Sequence, residues 1–310
     1  WDFRSKELSK DIFNYFGFDQ SLIPQIINVF SEHGRLSADV ANELSLTADI
    51  PVSYKAGDQP NNALSLNVMN PGEVAATAGT SGVIYGITDQ CSYDTLSRVN
   101  NFAHVNHTNQ STRIGTLLCI NGTGILNRWV KNLAGNGNDY VTMNQKAQKI
   151  PIGSNGLKLF PFGNGAERML NNRTVHSSLQ QINFNIHSVD HVFRAAQEGI
   201  AFAFRYGFDI LKTTGIQPNL IRAGNANMFL SNVFAAAFAN TLNVPVELYD
   251  NDGSIGAALG AGIGAGIFKD PAEAFAKRTA VKTIMPAQQD VYETQYQQWL
   301  ELLKKQIDNI

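Results

Sequence analysis

The spacing of apolar residues in the first part of the chain predicts short helices followed by several strands. Apolar side chains at helical spacing over residues 22–30, with Pro24 in the first turn, predict a helix, and residues 59–69 predict another. From residue 74 the pattern changes to short apolar runs, two of which flank the turn Gly79-Thr80-Ser81-Gly82 and predict a β-hairpin. The predicted strands of this part are residues 50–54, 74–78, 83–87, 99–105 and 112–120.

Beyond residue 124, apolar runs of helical length and of strand length alternate along the chain. The predicted helices are residues 125–133, 140–147, 188–211, 228–242 and 255–267, and a last amphipathic helix carries Tyr296, Trp299, Leu302 and Leu303. The predicted strands are residues 157–160, 182–186, 220–223 and 244–249. Strands that come first, followed by strands that alternate with helices, predict an α/β fold with a mixed sheet flanked by helices.

Charge and cysteine content narrow the function classes. The 310 residues include 24 Lys and Arg against 26 Asp and Glu, so no basic surface for nucleic acid or for an anionic membrane is expected. Cys91 and Cys119 show neither metal-ligand spacing nor a disulfide framework, which is typical of a reducing, cytoplasmic setting. The apolar stretch 255–268 is too short to span a bilayer, and Trp1 is not an initiator methionine. We therefore expect a soluble protein whose natural amino terminus lies upstream.

Two glycine-containing turns are candidate ligand sites. The hairpin turn with Gly79, Thr80 and Ser81 offers backbone amides and hydroxyls suited to a phosphate, although the same residue types also suit an ordinary turn. Gly224 and Asn225 follow a predicted strand and precede a predicted helix, where a flat ring or a phosphate can approach the backbone. The plainer interpretation of this second turn is a capped connection, with one of its asparagines as the helix cap.

Asp58 and a series of glycines are the remaining candidates. A carboxylate at the end of a strand often faces the ligand crevice of an α/β domain, while the plainer role for Asp58 is a helix N-cap. Gly256, Gly260 and Gly264 are four residues apart and indicate close packing of a helix rather than contact with a ligand. The six histidines have no metal-ligand spacing, so no protein ligands to a metal are predicted.

Taken in order, these segments resemble the FGGY carbohydrate kinase family over essentially the whole chain. Gly57-Asp58-Gln59 resembles the family's Gly-Asp-Gln/Asn element, and residues 78–83 resemble its Gly-Thr-Ser phosphate hairpin. Residues 160–168 are similar to its Leu-Pro-Tyr-x-x-Gly-Glu-Arg segment, residues 183–209 to its second signature, and residues 252–258 to its closing glycine-alanine helix. Several ordered matches in one chain are far more specific than any one of them.

Two places depart from the family pattern. Gln180-Gln181-Ile182 stands where a Gly-x-x-Gly-Leu sequence is usual, and Arg222-Ala223-Gly224 stands where three consecutive glycines are usual. Within the family, the helix over residues 198–205 and the segment 160–168 most resemble members that act on the ketose D-xylulose.

The resemblance implies an actin-like ATPase fold of the ribonuclease H type, with sugar and nucleotide meeting between two domains. Residues 1–70 would be the end of an amino-terminal sugar-binding domain, and residues 71–310 the nucleotide-binding domain. The expected reaction is transfer of a phosphoryl group from ATP, with Mg²⁺, to the terminal hydroxyl of D-xylulose. The alternatives left open are another sugar or polyol (ribulose, gluconate, fuculose or glycerol) and a non-catalytic nucleotide-binding protein. The expected partners are the sugar and ATP, and a homodimer is left open.

The resemblance also implies a role for each candidate residue. Asp58 would be the catalytic base. Thr80, with Gly79 and Ser81, would bind the transferred phosphate. The residues implied to line the adenosine site are Gly124, Asn127, Gly224 and Asn225.

Overall fold

A seven-stranded mixed sheet forms the centre of the computed structural model, which describes residues 1–134, 137 and 139–309. In chain order the strands are β1 (Glu73–Ala78), β2 (Gly82–Thr88), β3 (Asn100–Ala103), β4 (Ile114–Ile120), β5 (Lys158–Phe160), β6 (Ser178–Gln180), β7 (Leu220–Gly224), β8 (Val246–Tyr249) and β9 (Lys282–Ile284). The order in the large sheet is β3-β4-β2-β1-β7-β8-β9, and β5 pairs with β6 in a separate ribbon. The predicted mixed sheet flanked by helices is therefore confirmed.

The three parallel strands lie at the middle of this sheet. β1 pairs in parallel with β7, and β7 with β8, while every other pairing in the large sheet is antiparallel. The guanidinium of Arg222 on β7 binds Glu73 on β1 at 3.3 Å and Glu247 on β8 at 3.1 Å. Arg222 thus joins the three parallel strands where the family that the sequence resembles has a glycine.

Helices cover both faces of the sheet. They are α1 (Lys10–Phe16), α2 (Ala38–Leu44), α3 (Asp58–Ser65), α4 (Gly124–Leu133), α5 (Tyr140–Lys149), α6 (Val189–Thr213), α7 (Asn232–Leu242), α8 (Gly253–Gly264), α9 (Pro271–Phe275) and α10 (Gln289–Asp308). Successive side chains of β1 point to opposite faces. Val74 and Ala76 join the main core with Phe204 of α6, whereas Ala75 packs with Ala63 of α3 on the other face.

The glycine series of α8 packs against α3 and the segment before it, as the four-residue spacing predicts. A Cβ on Gly256 would lie 2.7 Å from the carbonyl oxygen of Asn61, and one on Gly264 would lie 1.7 Å from that of Ser53. The side chain of Asn61 also donates to the carbonyl oxygen of Gly253 at 2.9 Å. Only glycine permits this approach, and it fixes α3, with Asp58 at its start, against the rest of the fold. The domain boundary at residue 70 stays a prediction.

The prediction of a helix over residues 22–30 is wrong. A single 3-10 turn spans Gln20–Leu22, and the chain is irregular from Ile23 onward. Ile23 is extended with ψ 121°, the conformation that a following proline favours. Ile23 and Ile26 remain 39% and 58% exposed, so a helix here would gain little from packing.

The strand predicted over residues 182–186 is also wrong. These residues form a turn in which the Asn183 side chain accepts from the amide of Asn185 at 2.9 Å, and the strand of this region is β6 at 178–180. Phe184 is 89% exposed, so the apolar alternation marks no buried face. Local bonds of asparagine side chains to the backbone compete with strand pairing.

Three smaller differences between the predictions and the structure concern residues 50–54, residues 228–242 and two short elements near the end of the chain. Residues 50–54 make only the isolated bridges Phe30–Tyr54 and Arg35–Pro51 instead of a strand. The helix predicted over 228–242 is split, because Ser231 caps α7 by accepting from the amide of Phe234 at 3.4 Å. Neither of the short elements α9 and β9 was predicted from the sequence.

None of the described helices is long and apolar enough to cross a membrane.

Candidate functional site

The hairpin turn between β1 and β2 presents unused backbone amides. Ala78 and Gly82 are the last paired residues, which leaves Gly79, Thr80 and Ser81 as the turn. In the part of the chain that the structure describes, the amide nitrogens of these three residues donate to no other group. Thr80 is exposed at the tip. Three unpartnered amides beside two hydroxyls form a concavity that can bind an anion.

Helix α4 begins directly against this turn. The amide of Gly124 donates to the carbonyl oxygen of Gly79 at 2.8 Å, and the amide of Ile125 donates to that of Thr80 at 3.1 Å. A Cβ on Gly124 would lie 2.4 Å from the carbonyl oxygen of Gly79, so a larger residue would push the helix away. Two amides at the start of α4 thus orient the hairpin, and Gly124 acts here through backbone contact.

A cavity of about 360 Å³ opens beside the hairpin. This volume lies within the range of about 300–1,000 Å³ that is typical of small-molecule sites. The structure brings four predicted residues to it, namely Gly79, Thr80, Gly124 and Asn127. Ser81, Gly224, Asn225 and Asp58 are not among its lining residues, although Ser81 belongs to the same turn.

Further residues that sequence reasoning did not single out complete the cavity. They are Ala78 of β1, Ile125 and Arg128 of α4, Tyr140 and Asn144 of α5, and Met228, Leu230 and Ser231 after β7, together with Asn227 of the candidate turn after β7. A usable signal existed for two of them. Tyr140 and Asn144 are four residues apart on a predicted helix and therefore share a face.

A chain of hydrogen bonds joins two walls of the cavity. The hydroxyl of Ser231 accepts from the amide of Phe234, so its own hydrogen is free to donate to Oε1 of Gln197 at 2.6 Å. Nε2 of Gln197 donates in turn to Oδ1 of Asn144 at 2.9 Å. Gln197 is fully buried in α6. The chain orients the Asn144 amide, whose nitrogen is left as a donor.

Asn127 carries an unsatisfied polar atom in this cavity wall. The residue is 6% exposed, and its buried Oδ1 has no hydrogen-bond partner. Buried polar atoms without a partner are rare in folded proteins and call for an explanation. A bound ligand that reorients the amide would supply one.

The turn after β7 lies next to the hairpin but differs from the capped connection considered from sequence. The amide of Asn225 continues the pairing with β8 by donating to the carbonyl oxygen of Tyr249 at 2.8 Å. Neither Asn225 nor Asn227 caps a helix, because Ala226 stands at the cap of the following 3-10 turn and Ser231 caps α7. A Cβ on Gly224 would meet only the carbonyl oxygen of Asn251, at 3.7 Å, so open space faces this glycine.

Asp58 is the exposed first residue of α3. Gly57 holds the cap position, and the Asp58 carboxylate accepts from the amide of Gln59 at 2.7 Å. Burial raises the pKa of the Cys119 thiol on β4; Arg168 lowers it, and the carboxylates of Glu167 and Asp58 raise it. The Asp58 carboxylate therefore lies within electrostatic range of the end of β4, which leads into α4.

The arrangement fits a nucleotide better than a protein-bound metal. Unpartnered turn amides suit phosphates, and the open face of Gly224 admits a flat group near the backbone. Among the described residues, no group of three or more His, Cys, Asp or Glu side chains is arranged to hold a metal ion. Mg²⁺ needs no such group when it enters with nucleotide phosphates, because it keeps several waters and few protein ligands.

Comparison with known proteins identifies relatives. No model of a protein family matches the chain. The chain is 25% identical to the xylulose kinase of Haemophilus influenzae over 227 residues, which cover 72% of this chain and 44% of that protein. It is 28% identical to the gluconokinase of Bacillus subtilis over 176 residues, 54% of this chain and 33% of that protein. The crystal structure of xylulose kinase from Rhodospirillum rubrum superposes with a TM-score of 0.86 at 23% identity, covering 98% of this chain and 61% of that one.

Fold and relatives together define the class. The chain has the actin-like ATPase fold, and over most of its length its sequence is similar to those of carbohydrate kinases, in agreement with the resemblance. The particular proteins that match it over most of its length include xylulose kinases. The chain spans about half the length of the curated relatives it matches.

Proposed function

We propose that this chain is the nucleotide-binding part of an ATP-dependent sugar kinase and that it carries the catalytic base. The proposal rests on one observation: the hairpin turn, the start of α4 and the loop after β7 meet around a single cavity. The position of Asp58 near the end of β4 and the kinship with carbohydrate kinases support it.

The cavity residues would bind and align the nucleotide. The amides of Gly79, Thr80 and Ser81, which have no partner among the described residues, would bind the nucleotide phosphates, and the contacts of Gly124 hold this turn in place. Phosphoryl transfer needs little covalent participation from protein, so alignment and charge stabilisation account for most of the catalysis. Gly224 and Asn225 are proposed as the adenosine side of the same site.

Asp58 would accept the proton of the attacking sugar hydroxyl. A carboxylate is a weak base, but in a loose transition state the proton leaves late. A carboxylate in the right position is then sufficient. Asp58 is exposed at a helix start and has no ion pair among the described residues, and its second oxygen accepts only a long hydrogen bond from the Gln59 side chain, at 3.4 Å, which a substrate can replace.

Mg²⁺ bound with ATP would neutralise negative charge on the phosphates. The chain's own contribution is to hold the phosphate end of the nucleotide at the hairpin and to keep Asp58 fixed through the packing of α3 on α8.

D-xylulose is the proposed acceptor, phosphorylated at its terminal hydroxyl. The xylulose kinases among the relatives support this choice, and the gluconokinase relative makes gluconate the second candidate. The test is a coupled ADP-release assay on the enzyme produced from its complete gene, with D-xylulose, D-ribulose, gluconate, L-fuculose and glycerol as acceptors. We expect D-xylulose to give the highest kcat/KM. A clear preference for gluconate or glycerol would reject D-xylulose as the substrate but leave the kinase class intact.

A non-catalytic nucleotide-binding protein is the competing class. Such a protein needs no base at the position of Asp58, so the presence of a carboxylate there favours an enzyme. ATP binding without transfer to any acceptor in the same panel would favour the competing class.

A further inference from the structure

The loop between β4 and α4 is held by a carboxylate that is fully buried. The amide of Asn121 donates to both oxygens of Glu167, at 3.1 and 3.2 Å, and the neighbouring backbone of Gly122 helps to lower the pKa of the same carboxylate. The side chain of Asn121 donates in addition to the carbonyl oxygen of Ala166 at 2.8 Å. The segment around Glu167 therefore binds the loop through both the backbone amide and the side chain of Asn121.

The same segment also limits where the loop can move. A Cβ on Gly122 would lie 1.3 Å from the carbonyl oxygen of Pro161, so the backbones of the two segments are in direct contact. The side chain of Asn164 donates to the carbonyl oxygen of Asn121 at 3.3 Å. The loop is thus enclosed by backbone on one side and by the Glu167 carboxylate on the other.

This loop leads directly into the proposed nucleotide site. Gly124, the first residue of α4, follows Gly122 by two positions and donates to the carbonyl oxygen of Gly79 in the hairpin turn. Thr123 stands at the helix cap but makes no capping hydrogen bond with its side chain. The position of the first turn of α4 therefore depends on the loop, and the position of the hairpin depends on that turn.

Packing alone does not explain a carboxylate at this place. Within the described chain, Glu167 makes no ion pair, because the guanidinium of Arg168 binds Ser97 and Asn100 instead. Burying a charge without a cationic partner is costly, and burial raises the pKa of Glu167 to about 7. Glu198 makes a comparable contact with the amide of Gly153, at 3.1 and 3.2 Å, but it pairs with Arg194.

We propose that Glu167 is a positioning residue of the nucleotide site, which holds the 121–123 loop so that α4 sets the hairpin for phosphate binding. The inference rests on the proposed kinase function. Glu167 does not touch the nucleotide; it acts through Asn121 and Gly122 on Gly124 and, through Gly124, on Gly79.

The ionised carboxylate is the form in which both oxygens can accept the Asn121 amide. When it takes a proton, one oxygen becomes a donor and the loop loses part of its support. The other titratable groups that face this site are Arg168 on the same segment and Cys119 on β4, with Asp58 near Cys119. Affinity for ATP should therefore be lower below about pH 7 and should rise as Glu167 ionises. Folding stability has the opposite pH dependence. Because the pKa of Glu167 is raised in the folded state, the stabilisation is present at low pH and is lost as the pH rises through about 7.

The test compares Glu167→Gln with Glu167→Asp and with Glu198→Gln in the enzyme produced from its complete gene. For Glu167→Gln we expect the KM for ATP to rise by about tenfold with little change in kcat, since a small misplacement of a positioning group is enough for such a loss. The pH dependence of this KM around pH 7 should disappear, and hydrogen exchange at the amides of Asn121 and Gly122 should become faster. Glu167→Asp keeps the charge and should recover part of the affinity above pH 7. Glu198→Gln should lower thermal stability without changing the KM for ATP.

The outcomes separate the two proposals. If Glu167→Gln lowered the melting temperature but left the KM for ATP unchanged, Glu167 would serve packing alone. That result would overturn the inference. The same KM change in Glu198→Gln would also overturn it, since the effect would then follow from general loosening. If the unaltered enzyme bound no ATP, the proposed function itself would fall, and this inference with it.

Discussion

The amide nitrogen of Gly124 donates a 2.8 Å hydrogen bond to the carbonyl oxygen of Gly79, and this bond joins the start of α4 to the hairpin turn. A Cβ on Gly124 would approach that oxygen to 2.4 Å and its carbon to 3.0 Å. Neither neighbour is the flexible end of a side chain, so the helix or the turn must move if the residue grows. At Gly124 the addition of one methyl group is therefore enough to deform the site.

Gly124→Ala should weaken nucleotide binding. The added methyl displaces α4 from the hairpin, and overpacking of this kind typically costs about 1–3 kcal/mol. We expect the Kd for ATP to rise by about tenfold or more, measured by calorimetric titration, because 1.4 kcal/mol corresponds to a factor of ten. Gly86→Ala on β2, away from the cavity, is the control, since its Cβ would meet only side-chain atoms of Ile216 and Leu211, at 3.0 Å or more. Equal affinities in the two variants would contradict the proposed contact.

Gly224→Leu should raise the KM for ATP without loss of stability. Open space in front of Gly224 accepts the side chain in the free protein, while the same space is where the adenosine is proposed to lie. We expect a KM increase of about tenfold and a melting temperature close to that of the unaltered protein, with Gly224→Ala between the two. An unchanged dependence of the rate on ATP would move the adenosine site elsewhere.

Asp58→Asn should abolish turnover and leave ATP affinity nearly unchanged. Asparagine keeps the size of the side chain but cannot accept the proton, and removal of a general base costs about 10² to 10⁴ in rate. The measurement is kcat with the best acceptor together with the Kd for ATP. Asp270→Asn, at the cap of α9, controls for the loss of a helix-terminal carboxylate elsewhere in the chain. A near-normal kcat in Asp58→Asn would show that Asp58 is a structural residue at the start of α3 and not the catalytic base.

His104 should make the fold less stable in acid. Burial lowers the pKa of His104 to about 3; its Nε2 lies 3.0 Å from the carbonyl oxygen of Val68, and its Nδ1 lies 3.1 Å from the Tyr85 hydroxyl. Below about pH 6.5 the unfolded chain binds a proton that the folded chain does not, so the free energy of unfolding falls by about 1.4 kcal/mol per pH unit toward the folded pKa. Urea denaturation at several pH values should show a shallower slope between pH 6.5 and 4.5 for His104→Gln. The exposed His176→Gln serves as control, and identical slopes in all three proteins would contradict the assignment.

Much of the fold could be predicted because the signal was local. Apolar periodicity located the hairpin β1–β2 and the long helix α6, and the four-residue glycine spacing predicted the packing of α8. The helix over residues 22–30 was predicted wrongly because periodicity cannot reveal that Ile26 has no core to pack against. Whether an apolar face is buried depends on distant segments, and one sequence does not give their arrangement.

The site could be predicted only where residue type and backbone role coincide. Thr80 and Gly124 follow from small residues at a turn and at a helix start. Gln197 could not be found this way, since it lies in the middle of a buried helix and reaches the cavity only through Ser231 and Asn144. Glu167 could be located in sequence, but its partners at 121 and 122 became visible only in the fold.

The 310-residue chain, purified alone, should bind ATP weakly and show no sugar phosphorylation above background. Among the described residues, the Asp58 carboxylate bonds only to the neighbouring Gln59, and no other hydrogen bond of these residues holds a sugar hydroxyl against it. Alignment of reacting groups can supply about 7 to 11 kcal/mol of the barrier reduction, and that contribution is lost when the acceptor is not held. Exposed apolar side chains before residue 57, such as Phe16 at 61% and Leu22 at 78%, should also promote self-association of the isolated chain. A coupled assay with D-xylulose and light scattering on the same sample provide the check. Sugar-dependent ADP release at even about one per cent of the rate of the enzyme from the complete gene, roughly 2.7 kcal/mol in barrier, would show that these residues alone hold the acceptor.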